Sequence, residues 1–444
     1  MLLAQGEKSC GAELSGRQVQ LIEGRRISHL VHEHESGMSG ESRTTAPSPK
    51  VGLVLPGGGA RAAYQVGALR AIADLLPARS PNPFRIVTGT SAGAVNATAL
   101  AVHADRFRVA VGNLERVWRN FRVEQVFRAD TLSMLRAGLH WLLAMISAGW
   151  LLPPPRSLFD NTPLRRLLEH HFDFSIVRRS IEAGYLDALA MSATGYVSAR
   201  SVSFYAAKGG CEPWSRMRRA GEPAELSLEH LMASVAVPFL FPPVLLGDEY
   251  YGDGAMREAS PFSSAIHLGA ERLLVVGTRN EAKAPTSSPP QCPTFGQIFG
   301  YMLDALFSDG LYSDLERLTQ LNELVDHVGP IDTGRMRLRR IDMFVLLPSQ
   351  DLSEIARHHV DSLPRTLRVL LRTMGALNTG GGQLISYLLF EQSFTRELIA
   401  LGYQDTMNRA DEVLAFINGG AVESSGATAV LHRLGSRQEK RAEA

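Results

Sequence analysis

From residue 51 onward, short unbroken apolar runs alternate with stretches whose apolar residues recur at helical spacing. "VGLVL" at 51–55 is bounded by Pro56 and glycines, as a strand buried on both faces would be, and "ARAAYQVGALRAIADLL" then reads as a helix. "FRIVTGT" and "SAGAVNATALAVH" repeat the pair. Strand, glycine turn and helix, twice over, predict an α/β fold. "SVSFYAA", "ERLLVVGTR" and "IDMFVLLPS" are further predicted strands, and "LFDNTPLRRLLEHHF" and "SLEHLMASVAVPF" further helices. From Asp351 to Ile417 the pattern is helical, including "RTLRVLLRTMGAL" and "LLFEQSFTRELIAL", with a break at Gly380–Gly382.

These patterns divide the chain into five stretches. Residues 1–49 are polar and rich in Ser, Glu, Gly and His, with too little apolar surface to bury, and are expected to be disordered. A main α/β domain follows at 50–283. Residues 284–350 open on a loop, Pro- and Ser-rich "APTSSPPQCP", continue in helices and end in the late strand that completes the core. A helical region at 351–418 and a flexible tail at 419–444 close the chain.

Composition narrows the function classes. Of 444 residues, 46 are Lys or Arg and 45 Asp or Glu, leaving a formal charge of +1, which gives no global field for nucleic acid. Cys10, Cys211 and Cys292 are too few and too far apart for a metal or disulfide framework, so a reducing compartment and no bound metal are expected. Glu7 and Lys8 interrupt the N-terminus before an apolar signal core can form. The stretch around Trp141 and Trp150 ends in three prolines and is shorter than the roughly 20 residues a membrane span needs. A soluble, cytoplasmic protein is expected. Residues 134–155 serve either as a peripheral membrane contact, with tryptophan near each end, or as an ordinary buried helix. Arg335, Arg337, Arg339 and Arg340 face anionic headgroups or form a solvated hairpin.

The candidate chemistry begins at "VTGTSAGAVNA", where Gly89 and Gly93 flank Ser91 between a strand and a helix. Such a turn projects the serine and places it at a helix N-terminus that favours negative charge. Upstream, "LPGGGARAAYQVG" lets the amides of Gly57, Gly58 and Gly59 converge where an oxyanion would form. The same glycines match a dinucleotide fingerprint, but the next strand ends in Thr-Gly-Thr-Ser where that motif needs an acid, and no GK[ST] follows for a P-loop. No cofactor is therefore expected. His267, His327, His358 and His359 are candidate bases, none in a distinctive turn, whereas Asp253 in "EYYGDGAMREASP" has the same bare flanks, Gly252 and Gly254, as Ser91.

The glycine triplet with Arg61, the GxSxG serine and the DGA aspartate, in this order, resemble the patatin-like phospholipase family. "SLFDNTPLRRLL" and "ASVAVPFLFPPV" add to the likeness, which covers roughly Val51 to Arg279. Ala62, Ala255 and Ala259 stand where many members have Gly, Gly and Asn. The resemblance implies a three-layer fold with a mainly parallel central sheet and, here, a helical C-terminal extension. It also implies a Ser-Asp dyad without histidine. Ser91 is the nucleophile, acylated by a lipid ester; Asp253 is the general base and then holds the deacylating water; Gly57–Gly59 form the oxyanion hole, with Arg61 supporting the loop. A thioesterase or small-ester hydrolase with the same dyad, and a non-catalytic lipid-binding protein on the same fold, remain alternatives.

Overall fold

The computed structural model describes residues 49–130, scattered positions between 136 and 150, and 156–279, 292–332, 337–378 and 381–420. The expectations for residues 1–48 and for the tail beyond Gly420 lie outside the described residues. Ser48–Ala444 is one compact unit.

The strands β1 (Val51–Leu55), β2 (Ile86–Thr90), β3 (Ala188–Gly195), β4 (Ser201–Ala207), β5 (Trp214–Ser215), β6 (Arg219–Pro223), β7 (Val244–Leu246), β8 (Glu249–Asp253) and β9 (Arg272–Val276) precede a separate two-stranded hairpin, β10 (Ile331–Asp332) with β11 (Arg337–Leu338). The last strand is β12 (Asp342–Leu346). In the central sheet the order is β12-β9-β1-β2-β3-β4-β6-β5, with β8 paired to β3 and β7. From β12 to β3 every pairing is parallel. The three strands read from apolar runs late in the sequence are β4, β9 and β12.

Both faces of the parallel strands are covered, which is why their sequences are continuously apolar. Leu53, Leu55, Val87, Leu274, Val276 and Phe344 enter one core cluster. The intervening Val54, Ile86, Leu273, Val275 and Met343 enter another. This alternation, with period two, makes three layers. On the first face lie α1 (Ala63–Leu75), α2 (Ala92–Val102) and α3 (Phe107–Arg119), followed along the chain by α4 (Val123–Val126), α5 (Thr162–His171), α6 (Phe174–Glu182), α7 (Leu228–Ser234) and α8 (Phe262–His267). The last of these packs on the second face through Phe262 and Ala265.

The longest helix, α9 (Phe295–Val328), lies in the stretch 284–350 where helices are expected, although the sequence does not mark its bounds. Its Leu303 and Phe307 enter the first core cluster, and its Leu311, Leu315 and Leu318 the second. No single apolar stripe therefore marks it in sequence. The C-terminal helices are α10 (Leu352–His358), α11 (Arg365–Thr373), α12 (Gly382–Leu388), α13 (Gln392–Met407) and α14 (Ala410–Ile417). The predicted helix through 388–401 is broken at Leu389–Glu391 between α12 and α13. Helix α13 lies directly on α1: a Cβ on Gly67 would sit 2.0 Å from the Ile399 carbonyl oxygen, and one on Gly402 would sit 2.1 Å from that of Tyr64.

The arginines of the hairpin region are engaged within the chain. Arg339 donates to the Ala270 carbonyl and faces Glu271, while Arg340 pairs with Asp326 and Asp342. Arg335 and the side chain of Arg337 lie outside the described residues. So does Trp141, but in the same stretch Leu139, Leu143, Ile146 and Trp150 are exposed, Trp150 to 93 %.

Candidate active site

Ser91 sits between the last residue of β2 and the first of α2, at φ 55°, ψ −128°, a conformation that strains any residue with a Cβ. Such strain is what the nucleophile turn of this motif requires. Gly93 makes the turn passable, because a Cβ there would lie 1.9 Å from the Leu55 carbonyl oxygen of the neighbouring strand. The serine is 3 % exposed, and its amide donates to the Ser234 hydroxyl at 3.0 Å.

Asp253 ends β8, which runs antiparallel to β3 and places the aspartate opposite Ala193. Its amide donates to the Ala236 carbonyl at 2.8 Å. Ser234 and Ala236 thus anchor both Ser91 and Asp253, a role for the "ASVAV" block that sequence reasoning had not given it. The Asp253 carboxyl is fully buried; Oδ1 accepts the Ala255 amide at 3.0 Å, and Oδ2 has no hydrogen-bond partner among the described residues. Burial pushes this carboxyl up to about 7. The Ser91 hydroxyl and the Ala255 amide pull it down, and Glu258 adds to the rise.

Glu258 was missed in the sequence. Its carboxylate accepts the Thr90 hydroxyl at 2.6 Å, one residue before Ser91, and burial raises its own pKa against the Thr90 and Ser192 hydroxyls. An acid five residues after Asp253 carries no spacing signal. Only the short 3-10 turn at Gly254–Met256 brings it back beneath β2.

The glycine loop leads from β1 into a single 3-10 turn at Gly59–Ala62, whose first amides have no partner within the turn. Gly57 lies against Ser91, and its carbonyl accepts the Thr278 hydroxyl at 3.0 Å. Gly59 takes φ +53°, and a Cβ on it would meet the Tyr387 carbonyl oxygen at 2.5 Å. Arg61 is buried. It donates to Asp304 at 2.8 Å, Ser386 at 2.8 Å, Ser353 at 2.9 Å and the Tyr387 hydroxyl at 3.0 Å, and stacks on the Tyr387 ring.

None of the four histidines makes a described bond to either Ser91 or Asp253. His267 stacks on Trp214, His327 bonds the Glu323 carbonyl, His359 pairs with Glu397 at 2.5 Å, and His358 is exposed at the end of α10.

Residues 53–266 match the family model Patatin-like phospholipase. The chain carries a patatin-like domain. The family is one of lipid acyl hydrolases, so lipids are the substrate class of the domain. No curated protein matches the chain. Among solved structures the crystal structure of VipD from Legionella pneumophila is similar at 13% identity, with 90% of this chain and 77% of that chain covered and a TM-score of 0.34.

The patatin-like domain borrows part of its site from beyond the matched residues. Ser91 opens on a cavity of about 60 Å³ whose walls include Val95, Trp118 and Phe121 from within the domain, and Phe307, Tyr387 and Phe390 from α9 and the α12 region. Apart from Ser91 the lining is almost wholly apolar. A second cavity, of about 260 Å³, lies on the other side of Trp118.

Proposed function

We propose that this protein is a serine lipid acyl hydrolase, of the phospholipase A or lysophospholipase type, that cleaves carboxylic esters of membrane lipids through Ser91 and Asp253. The observation that carries the reading is the strained, buried Ser91 beside one under-bonded carboxyl, at the end of an apolar cavity. In the ionised form Asp253 takes the Ser91 proton as Oγ attacks the ester carbonyl. The tetrahedral oxyanion is met by the amides of Gly57–Gly59, the proton passes from Asp253 to the departing alcohol, and an acyl-serine remains. Water then gives a proton to Asp253 as its oxygen attacks the acyl carbon, and Asp253 passes that proton to the departing Ser91 Oγ, releasing the fatty acid and restoring the enzyme. A carboxyl near 7 suits this work better than an ordinary aspartate, because base strength approaches what the hydroxyl proton demands while the ionised form stays populated.

The substrate lies in a membrane, and two exposed apolar surfaces fit that. One is the set Leu139, Leu143, Ile146 and Trp150; the other is Phe295, Ile298, Tyr301 and Met302, on the turns of α9 that precede the cavity residues Leu303 and Phe307. No helix among the described residues is long and apolar enough to cross a membrane, so the contact is peripheral. A second reading, a thioesterase or short-ester hydrolase, is favoured by the small volume beside Ser91.

A fluorophosphonate probe tests the reaction: it labels the wild type, fails on Ser91→Ala and is strongly reduced on Asp253→Asn. An unlabelled wild type sinks the reading and leaves a lipid-binding protein. Replacing Ile146, Trp150, Phe295 and Tyr301 by serine separates the substrates. Vesicle phospholipid hydrolysis falls at least about tenfold relative to a soluble short-chain ester; an equal loss on both removes the docking surfaces.

A further inference from the structure

The cavity at Ser91 is too small for the substrate class of the domain. At about 60 Å³ it holds roughly two water volumes, well short of the ~300–1,000 Å³ of ordinary small-molecule sites. The rest of a long acyl chain needs further apolar room, and the fold places some next to this cavity. Ser91, Val95, Ala99 and Val102 fall on one face of the nucleophile helix α2, at helical spacing, a track of about 16 Å at 1.5 Å per residue. The Ser91 cavity takes Val95 from this track, and the second cavity takes Val95, Ala99 and Val102. The two cavities share Val95, Trp118 and Phe121 as a common wall.

The deep part of the second cavity is apolar, lined by Ala99, Ala110, Leu114 and Leu168, and its polar residues include the exposed Arg116 and His171. The partition is fixed in place. Trp118 is 2 % exposed and its indole donates to Asn96 at 2.9 Å; Asn96 in turn donates to Gln65, which bonds the carbonyls of Pro56 and Val276. Phe121 and Phe390 pack against the ring. The tryptophan is thus held by hydrogen bonds leading to the ends of β1 and β9, and not by shape alone.

We propose that the second cavity is a subsite for the distal part of a long-chain fatty acyl group, and that Trp118 with Phe121 forms the partition that sets which chain lengths reach it from Ser91. The proposal rests on the acyl hydrolase reading but is separable from it, because the subsite binds a fatty chain whether or not Ser91 reacts.

The experiment fills the subsite and opens the partition. Ala99→Phe on α2 and Ala110→Leu on α3 place bulk in the second cavity from two different helices; Trp118→Leu removes the wall. Specificity is read as the ratio of kcat/KM for a palmitoyl ester to that for a butyryl ester. Filling lowers this ratio at least about tenfold, within the range that one or a few methylenes of pocket fit command. Opening raises it. Binding is read separately in the Ser91→Ala background, by palmitate displacement of a fluorescent fatty acid, and each filling variant weakens it. Circular dichroism checks folding, and with two independent filling variants the loss of one leaves the other to decide. An unchanged ratio together with unchanged palmitate binding in a folded filling variant overturns the subsite. A wild type that binds palmitate through this cavity yet hydrolyses neither ester overturns the hydrolase reading and leaves the subsite standing.

Discussion

Asp253 and Asp304 are both buried carboxyls near the Gly57–Gly59 loop, and the protein treats them in opposite ways. Asp304 is surrounded by donors: Arg61, the Tyr387 hydroxyl and Arg279 at 3.1 Å, with Gln383 at 3.5 Å. Asp253 meets only the Ala255 amide on Oδ1 and the Ser91 hydroxyl, with no charged donor, and its buried Oδ2 has no other hydrogen-bond partner among the described residues. A buried charge with every lone pair met holds a shape, because moving any partner strands the others. A buried carboxyl left short of donors has its protonation poised, and poised groups are where chemistry is done. One aspartate secures the loop through Arg61, while the other faces the serine.

The contrast is broken most severely at Asp253. Asp253→Asn keeps the shape and removes the proposed base, so ester hydrolysis is expected to fall by at least about 10³-fold. Stability moves the other way. The folded pKa near 7 lies above the ordinary value of 3.8, so the folded state binds the proton more tightly than the unfolded one. The stabilisation that this proton supplies is complete below about 4 and is lost as pH rises through about 7, a difference on the order of 4 kcal/mol at ~1.4 kcal/mol per pKa unit. The asparagine amide of the variant is neutral at every pH and escapes the loss. Thermal melts therefore show the variant gaining on the wild type from pH 4 to pH 8. A gap that stays constant, or narrows, contradicts the poised carboxyl.

At Asp304 activity and stability fall together. Asp304→Ala strands Arg61 among buried groups, and breaking such a pair costs about 3–5 kcal/mol. Tyr387→Phe is gentler, removing the hydroxyl between Arg61 and Asp304 for about 1 kcal/mol. Since Tyr387 also touches Gly59 through its backbone, the displaced loop lowers kcat more than it raises KM. Turnover unchanged in a folded Tyr387→Phe protein separates the Arg61 network from the oxyanion loop.

The two aspartates also differ in how much the sequence reveals of them. Asp253 was legible because its constraint is local: glycine flanks and a turn that follows a strand are short-range requirements, as they are for Ser91. The parallel strands were legible for a similar reason, since burial on both faces demands unbroken apolar runs. Nothing local marks Asp304. It lies 243 residues from Arg61, on a helix whose apolar residues serve two core clusters and so form no single stripe. The loop at Gly59 and the Phe307, Tyr387 and Phe390 walls of the cavity depend on that same long-range docking. The helical character of the C-terminal region could be read from its spacing, but not its approach to α1 or the break at Leu389–Glu391.

The finest difference between the two carboxyls is their electrostatic company. Asp304 faces two arginines, whereas Asp253 has another acid, Glu258, beside it, adding to the rise that burial begins. Glu258→Gln keeps an acceptor for the Thr90 hydroxyl and removes the negative charge. With that repulsion gone, Asp253 ionises more readily, and the general base becomes competent at lower pH. In the wild type kcat/KM for a soluble ester rises with pH through about 7, the free-enzyme pKa of the base. In Glu258→Gln this limb moves to lower pH, by less than the whole displacement because burial, the larger cause, is untouched. The plateau above the limb stays close to the wild-type value, since the charge acts on the proton of Asp253 and not on the ester. A limb that does not move shows Glu258 to be uncharged in the working range, and burial alone then sets the poise of Asp253. A limb that moves to higher pH contradicts the like-charge pairing altogether.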